Sequence, residues 1–438
     1  MISFNDTKPA FQRVQLSTNF YFYMFNQKIN KIILVSSVFV FISCNVNKSH
    51  NGYIQDYIVD ITGAVNSREK IKLSEIVDSI SFIILETNDR SSIGTIKTVF
   101  KSDYIFNYNI CFDKNGKYQN SVGTKGRGPF EEPFGVTKVA RINDCYYSLG
   151  SKFIEYGLDG KPTGNVRVLH GGKENTVAEG RFSRISEFFQ QGKTLLLYSF
   201  PDTLFFFNTD FDLTNSASVA EPINIDHYTP SPKGRLTRFM TDYNDTTVFY
   251  NYINDTIYHI TEERITPSRV VKIDPEHRIH KDYFYKFKEL LIDAERAWSA
   301  GSLDQCRLVE ISDNRPLCMA VYETSRYLFF IMTTVINFPN QRGIEKGDIY
   351  VIYHDKSKGI TRGSLANGFY DDILGMEHFM PLYGAFDDKI VKIVWPYEIF
   401  DHIKKCRENN VVENPLLLDI SKNIKENGNP ILILGHLK

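Results

Sequence analysis

Short apolar segments alternate with polar turns through most of the chain, and their order predicts a repeated strand unit. In each unit an apolar strand is followed by a polar turn, a second strand that ends in an aromatic residue, and a turn rich in Asp, Asn, Gly and Lys. Brief apolar runs bounded by turn residues are typical of antiparallel β structure. Five copies are anchored by the aromatic residues Phe112, Tyr156, Phe207, Tyr258 and Tyr353.

The spacing of these anchors predicts a closed ring of sheets. The first four anchors lie 44 to 51 residues apart, and the longer last interval contains an insertion. Repeats of about 40–50 residues with several strands each are typical of β-propellers, because one small sheet cannot bury both faces and must stack against neighbours. We therefore predict an all-β, six-bladed propeller with four-stranded antiparallel blades. Seven blades is the alternative ring, and a β-sandwich, which would not repeat its turn chemistry, is the alternative fold.

Two helical insertions interrupt the strand pattern. Apolar residues recur at helical spacing in Ile279–Ser299, which predicts an amphipathic helix. A second helix is predicted at about Tyr397–Glu408, before a final strand at Ile431–Leu434. Ahead of the repeats, strands are predicted at Tyr53–Ile61 and Ser81–Leu85.

The amino-terminal segment has the parts of a secretory signal. Lys28 and Lys31 precede the apolar run Ile32–Ile42, which is too short for a transmembrane helix of about 20 residues. Phe41-Ile-Ser-Cys44 resembles a bacterial lipobox, which implies that the Cys44 thiol takes a lipid and becomes the first residue of the mature protein. A lipid-anchored protein of the cell envelope is therefore expected, on the periplasmic or the outer-surface face.

This interpretation sets the predicted domains. Residues 1–44 are the signal peptide with its lipobox, residues 45–52 are a polar tether, and residues 53–438 form a single propeller domain. Met24 would start a signal of more usual length, in which case residues 1–23 precede the true start.

Composition and charge exclude several classes of protein. The formal charge of -1 provides no field that would attract nucleic acid. An aromatic content of 14% favours strands. Five widely spaced cysteines follow Cys44 without a C-x-x-C pair, so we expect small buried residues rather than a disulfide framework or a zinc site. A bridge between Cys306 and Cys318 is allowed by spacing alone.

One stretch of the sequence resembles part of a known family of repeats. Residues 123–136, Gly-Thr-Lys-Gly-Arg-Gly-Pro-Phe-Glu-Glu-Pro-Phe-Gly-Val, resemble the linker of NHL-type propeller repeats. More specifically, the chain resembles the six-bladed β-propeller lipoproteins of Bacteroides-type bacteria. Four further segments carry that resemblance: Ile71–Asp78, Ile84–Thr87, Ile93-Gly94 and Asn429–Leu434. It implies an architecture and an envelope location more than an activity.

Few residues carry recognisable chemistry. Lys125 and Arg127 lie in the glycine-rich turn, whose backbone amides could receive an anion, although the phosphate-loop pattern is missing. Glu131 lies beside that turn, and Trp298 lies on the first predicted helix, expected near the central channel. These four are the candidate ligand-binding residues, and no catalytic residue, metal ligand or cofactor is predicted because no His-Glu-x-x-His or equivalent pattern occurs.

The sequence leaves two functions open. The favoured one is a module that binds a glycan, a peptide or a partner protein of the envelope without chemistry. The alternative is an enzyme, because NHL-like propellers include lyases and related six-bladed rings include metal-dependent lactonases with a site at the central channel. Binding is favoured because the strands expected to line the channel carry few His, Asp, Glu or Asn residues in recognisable positions.

Overall fold

Six antiparallel blades form a propeller ring, which confirms the predicted fold class. The computed structural model describes residues 57–94, 96, 98–100, 103–132, 136, 139–142, 144–149, 153–167, 185–191, 194–199, 203–218, 240–243, 246–251, 255–262, 264–278, 316–333 and 348–438. Cys44, Cys306, Trp298 and the predicted helix Ile279–Ser299 lie outside the described residues.

Each blade is a four-stranded sheet, and its strands are numbered first to fourth from the ring axis outward. The first strands of blades 4 and 5 lie against each other, which places first strands on the inside. Blade 1 contains Thr98–Phe100, Tyr104–Asn107, Ile110–Asp113 and Tyr118–Ser121. Blade 2 contains Val139–Ile142, Cys145–Leu149, Phe153–Tyr156 and Pro162–Arg167. Blade 3 contains Ile185–Gln191, Thr194–Ser199, Thr203–Phe207 and Leu213–Ser218.

The other three blades follow the same order, with the last strand of blade 6 taken from early in the chain. Blade 4 contains Met240–Tyr243, Thr246–Asn251, Thr256–Ile260 and Ile265–Lys272. Blade 5 contains Leu317–Glu323, Tyr327–Thr333, Ile349–Asp355 and Ile360–Ser364. Blade 6 contains Ala385–Phe386, Lys389–Val394, Ile431–Leu437 and Val77–Ile84.

The aromatic anchors occupy equivalent places in the ring. All five lie in the third strand of their blade, from Phe112 in blade 1 to Tyr353 in blade 5. Phe112, Tyr156 and Phe207 are completely buried. The long interval before Tyr353 arises because connections 273–316 and 334–348 both fall within it. The repeat seen in the sequence is therefore the repeat of the blades.

The core lies between blades rather than at one centre. Phe329 and Val351 of blade 5 share an apolar cluster with Ile390 of blade 6. Phe112 of blade 1 shares another with Leu432 of blade 6. Each sheet thus buries both faces against its neighbours, which is the physical reason the ring closes.

The ring is closed by pairing the two ends of the described chain. Val77–Ile84 runs antiparallel to Ile431–Leu437, with Ile84 opposite Ile431 and Val77 opposite Leu437. Both strands are longer than the predicted Ser81–Leu85 and Ile431–Leu434. Their partnership was not predicted, because strand patterns alone do not reveal which distant strands pair.

A single asparagine reinforces this closure. Asn429 is buried, and its side-chain oxygen accepts the Ile93 N–H at 2.9 Å. Its amide group donates to the carbonyl oxygens of Glu86 and Ser91, each at 2.7 Å. The Asn429 N–H donates to Thr87 Oγ1 at 2.7 Å. Three segments that carried the family resemblance, around Thr87, Ile93 and Asn429, therefore meet at one point.

The chain before this closing strand runs along the outside of blades 4 and 5, and we name residues 57–76 the strap. Ile58–Asp60 pairs in parallel with the fourth strand of blade 4, and Arg68–Glu69 pairs in parallel with that of blade 5. Between them lies helix α1 (Thr62–Asn66), and a 3-10 turn at Leu73–Glu75 follows. A Cβ at Gly363 would collide with the Ala64 carbonyl oxygen, so this glycine lets α1 lie directly on blade 5. Of the predicted strand Tyr53–Ile61, Ile58–Asp60 is a strand and Ile61 is the residue that caps α1, while residues 53–56 lie outside the described residues.

The two ends of the ring differ in the length of their connections. At one end, the turn end, tight turns join first to second and third to fourth strands, as at residues 387–388 and 356–359. At the other, the insertion end, the second-to-third turns of blades 1 to 4 are also short, as at residues 108–109, but the remaining connections are long. The long connections that begin and end there include 168–184, 219–239, 273–316, 334–348, 365–384 and 395–430.

Candidate functional site

Two long connections, residues 365–384 between blades 5 and 6 and residues 395–430 within blade 6, form a structured cap at the insertion end, and we name them the cap. The first contains a small hairpin of Phe369–Tyr370 with His378–Phe379. The second contains helices α2 (Pro396–Glu408) and α3 (Pro415–Ser421), of which α2 confirms the helix predicted at Tyr397–Glu408.

The sequence explains why α2 and α3 form where they do. Pro396 begins α2 with a backbone angle suited to a first helical turn, and the Trp395 N–H donates to the Glu398 carboxylate at 2.6 Å. Ile399 and Ile403, one turn apart, are buried. Asn414 caps α3 by accepting the Leu416 N–H at 3.0 Å, and its amide also donates to the Ile373 carbonyl oxygen at 2.7 Å. The helical insertion is therefore tied to the hairpin insertion.

A polar cluster supports the cap from below. Lys392 lies in the second strand of blade 6 between buried Ile390 and Val394, and its ammonium group donates to the His378 carbonyl oxygen at 2.5 Å. Asp371 is buried, and its Oδ1 atom accepts the N–H groups of Ile373 at 3.2 Å and Leu374 at 2.8 Å. Burial lowers the pKa of Lys392 and raises the pKa of Asp371, so both charged forms are disfavoured there.

Two atoms of this cluster have no hydrogen-bond partner among the described residues. They are Asp371 Oδ2 and His378 Nδ1, and both are sealed from solvent. Burial also lowers the pKa of His402 on α2, whose Nε2 atom lies 3.6 Å from the Cys406 sulfur. A ligand in solution cannot reach Asp371 Oδ2 or His378 Nδ1, so we interpret this polar cluster as a support that holds the cap in place.

The tip of the cap presents two exposed apolar side chains next to the exposed polar residues Glu408, Asn409 and Asn410. Val412 is 91% exposed and Val411 is 57% exposed, in the loop between α2 and α3. The Val411 N–H donates to the Cys406 carbonyl oxygen at 2.9 Å, and Arg407 pairs with Glu413 beside it, so the loop is anchored to α2. Half of the large apolar side chains exposed in the described part of the chain belong to the cap. These are Leu365, Tyr370, Tyr397, Val411, Val412 and Leu416.

The glycine-rich turn brings three predicted ligand residues together. Lys125 and Arg127 are exposed, and Glu131 is half-buried beside them. Glu131 Oε2 accepts the Gly128 N–H at 2.7 Å, and a Cβ at Gly126 would collide with the same carboxylate. The turn therefore holds its own carboxylate against one of the amides that an anion would use.

The neighbouring glutamate faces the other way, as its adjacent position predicts. Glu132 is buried, and the Ser148 hydroxyl donates to its Oε1 atom at 3.3 Å. Glu131 and Glu132 therefore do not form a carboxylate pair.

Other candidate chemistry is limited in the described residues. No group of three His, Cys, Asp or Glu side chains there is arranged to hold a metal ion. Cys111, Cys318 and Cys406 are buried free thiols, and Cys145 is a partly buried one. Burial raises the pKa of Cys111 and Cys318, so neither is an activated thiolate. In the same part of the chain, no helix is long and apolar enough to cross a membrane.

Comparison with known proteins finds one family and several similar solved structures. The family model described as a domain of unknown function, DUF4934, matches residues 56–436. No curated protein matches.

Two solved structures of Bacteroides proteins are similar along most of the chain. One, described as an exported protein of Bacteroides fragilis, is 17% identical with a TM-score of 0.61 over 87% of this chain and 99% of that one. A member of the DUF4221 family from Bacteroides vulgatus is 11% identical with a TM-score of 0.41 over 85% of this chain and 99% of that one. At this identity the likeness to the first structure shows the fold alone.

Proposed function

We propose that this chain, which belongs to the DUF4934 family, is a lipid-anchored β-propeller of the cell envelope that binds a partner protein through the tip of its cap. The observation that carries the proposal is the exposed apolar loop Val411-Val412, held on a rigid pair of helices at the insertion end.

Two observations support the envelope location. The segment before the ring has the parts of a secretory signal, and the similar Bacteroides fragilis protein is described as exported. The proposal further assigns Cys44 as the lipid attachment site and residues 123–136 as an NHL-like linker.

The character of the tip favours a protein over a glycan or a short peptide. Exposed aliphatic side chains make protein contacts and leave sugar hydroxyls without partners. The tip is also ordered before binding, because Asn414 ties α3 to the hairpin and buried Leu417 packs α3 into the core between blades 5 and 6. A preordered surface loses little entropy on binding.

Site-specific photocrosslinking in intact cells tests the proposal. A photoreactive amino acid at position 412 is expected to yield one discrete crosslinked protein. The same probe at Leu158, an exposed apolar residue of blade 2, is the matched control and is expected to yield none. The crosslinked protein is then purified, and its binding to the mature chain is measured directly.

The change Val412→Asp should weaken that binding at least tenfold without altering thermal unfolding, because it places a charge in an apolar contact. Leu158→Asp should leave the affinity unchanged. Equal crosslinking at both positions, or equal affinity of the Val412→Asp and wild-type proteins, would refute the proposed docking surface.

A further inference from the structure

A cluster of basic side chains lies at the opposite end of the ring, between blades 4 and 5. Its centre is Glu323, at the end of the first strand of blade 5, whose side chain is 2% exposed. His259 Nε2 lies 2.7 Å from Glu323 Oε2, Lys356 Nζ lies 3.0 Å from Oε1, and Arg269 NH1 lies 3.8 Å from Oε1. One buried carboxylate therefore gathers three basic side chains from two blades.

The carboxylate is held in its charged form by this arrangement. Burial alone would raise the pKa of Glu323, but the hydrogen bond from His259 and the charge of Lys356 outweigh it, so the pKa is lowered. Lys356 is further fixed by donating to the Thr324 carbonyl oxygen at 2.5 Å. Glu323 and Lys356 thus form a rigid base for the cluster.

The guanidinium of Arg269 has N–H donors that make no hydrogen bond to Glu323. Its guanidinium makes one hydrogen bond within the described residues, to Ser268 Oγ at 3.0 Å, although a guanidinium carries five N–H donors. Its 3.8 Å approach to Glu323 is longer than a hydrogen bond. The side chains of Arg269, His259 and Lys356 remain 23%, 27% and 14% exposed, so solvent reaches all three.

A neighbouring arginine shows the contrasting case. Arg326 lies at the same end with 29% exposure, but its guanidinium donates twice to Asp355 Oδ2, at 2.8 and 3.2 Å, and once to the Lys438 carbonyl oxygen. Arg326 and Asp355 neutralise each other. The nearby Asp388 carboxylate accepts the Ser325 N–H at 2.7 Å. Arg269 thus differs from Arg326 in having no carboxylate oxygen at hydrogen-bond distance among the described residues.

The positive charges of this cluster also affect the pKa of a nearby histidine, His354. Burial lowers the pKa of His354, and the positive charges of Arg269 and Lys356 lower it further.

We infer that Arg269, His259 and Lys356 form a binding site for an oxyanion group, a carboxylate, sulfate or phosphate, at the turn end of the ring. A partly exposed guanidinium with spare donors, such as that of Arg269, is a group that binds oxyanions in proteins. Glu323 holds His259 and Lys356 beside it, where their positive or polar N–H groups add to the attraction. The proposed oxyanion site lies at the end of the ring opposite the cap, so it does not depend on the proposed partner protein.

Calorimetric titration of the purified mature chain in a low-salt buffer tests the inference, since salt screens partly exposed charges. The probes are glucuronate, inorganic phosphate and inorganic sulfate, with glucose as the uncharged control for glucuronate. At least one oxyanion should bind, and glucose should not. Preference for glucuronate would indicate an acidic sugar as the natural ligand, whereas preference for phosphate or sulfate would indicate an inorganic ion.

The matched variants decide the role of Arg269. Arg269→Gln should weaken oxyanion binding about tenfold, while Arg326→Gln should not change it. Arg269→Lys, which keeps the charge but loses the planar donor pair, should lie between them and guards against a folding defect in the glutamine variant. The inference is overturned if no oxyanion binds the wild type at about 10 mM, or if the two glutamine variants bind alike.

Discussion

Replacing Asn429 by alanine should destabilise the ring severely, because this side chain joins both ends of the described chain. The change removes three hydrogen bonds, to Ile93 N–H and to the carbonyl oxygens of Glu86 and Ser91. Asn429 itself is only 3% exposed, so water does not replace it freely. A buried polar group left without a partner costs about 1–3 kcal/mol, so we expect a loss of about 3–5 kcal/mol in the free energy of unfolding.

Urea unfolding followed by circular dichroism measures this loss, with two variants that separate hydrogen bonding from volume. Asn429→Asp keeps the shape but replaces the amide donors with an oxygen facing two carbonyl oxygens, so it should be at least as destabilising as alanine. Asn409→Ala is the control, because that exposed side chain makes one hydrogen bond, to the Lys405 carbonyl oxygen at 2.8 Å. It should cost about 0.5 kcal/mol or less.

The reasoning fails if Asn429→Ala and Asn409→Ala lose similar stability. It also fails if Asn429→Asp is as stable as the wild type, since donors at this position would then be dispensable.

Two further predictions concern the cap support and the anchor. Burial lowers the pKa of Lys392 from its usual 10.5, so between the lowered value and pH 10.5 the unfolded chain binds more protons than the folded one, and the free energy of unfolding should rise with pH. Urea unfolding at several alkaline pH values should show that Lys392→Met reduces this slope, and an unchanged slope would contradict the burial argument. Cys44→Ser should move the protein from the membrane pellet to the soluble fraction after cell lysis, because a serine hydroxyl cannot accept the lipid through a thioether; retention in the pellet would contradict the proposed anchor.

The ring could be predicted from the sequence because its repeat is local. Each anchor, such as Phe207, follows a short apolar run and precedes a polar turn, and both features lie within a few residues of it. Helix α2 has the same local character, since Ile399 and Ile403 lie one helical turn apart in the sequence.

The features that depend on distant contacts could not be predicted. Nothing near Val77–Ile84 indicates that its partner is Ile431–Leu437, and the parallel strands of the strap are too short to show a pattern. The cluster of basic side chains around Glu323 could not be predicted, because its members come from separate strands and turns and form no sequence motif. They are His259, Arg269, Glu323 and Lys356. Among the predicted ligand residues, Lys125, Arg127 and Glu131 share a turn because they are sequence neighbours.

The pairing of Val77–Ile84 with Ile431–Leu437 has a consequence for how the protein is made. All the other blade strands lie between these two in the sequence, so during synthesis Val77–Ile84 has no partner until Ile431–Leu437 has been made. Blade 6 is therefore the last blade to be completed, and a chain that lacks Ile431–Leu437 would leave an open arc with exposed strand edges. Such an arc is prone to aggregation or proteolysis.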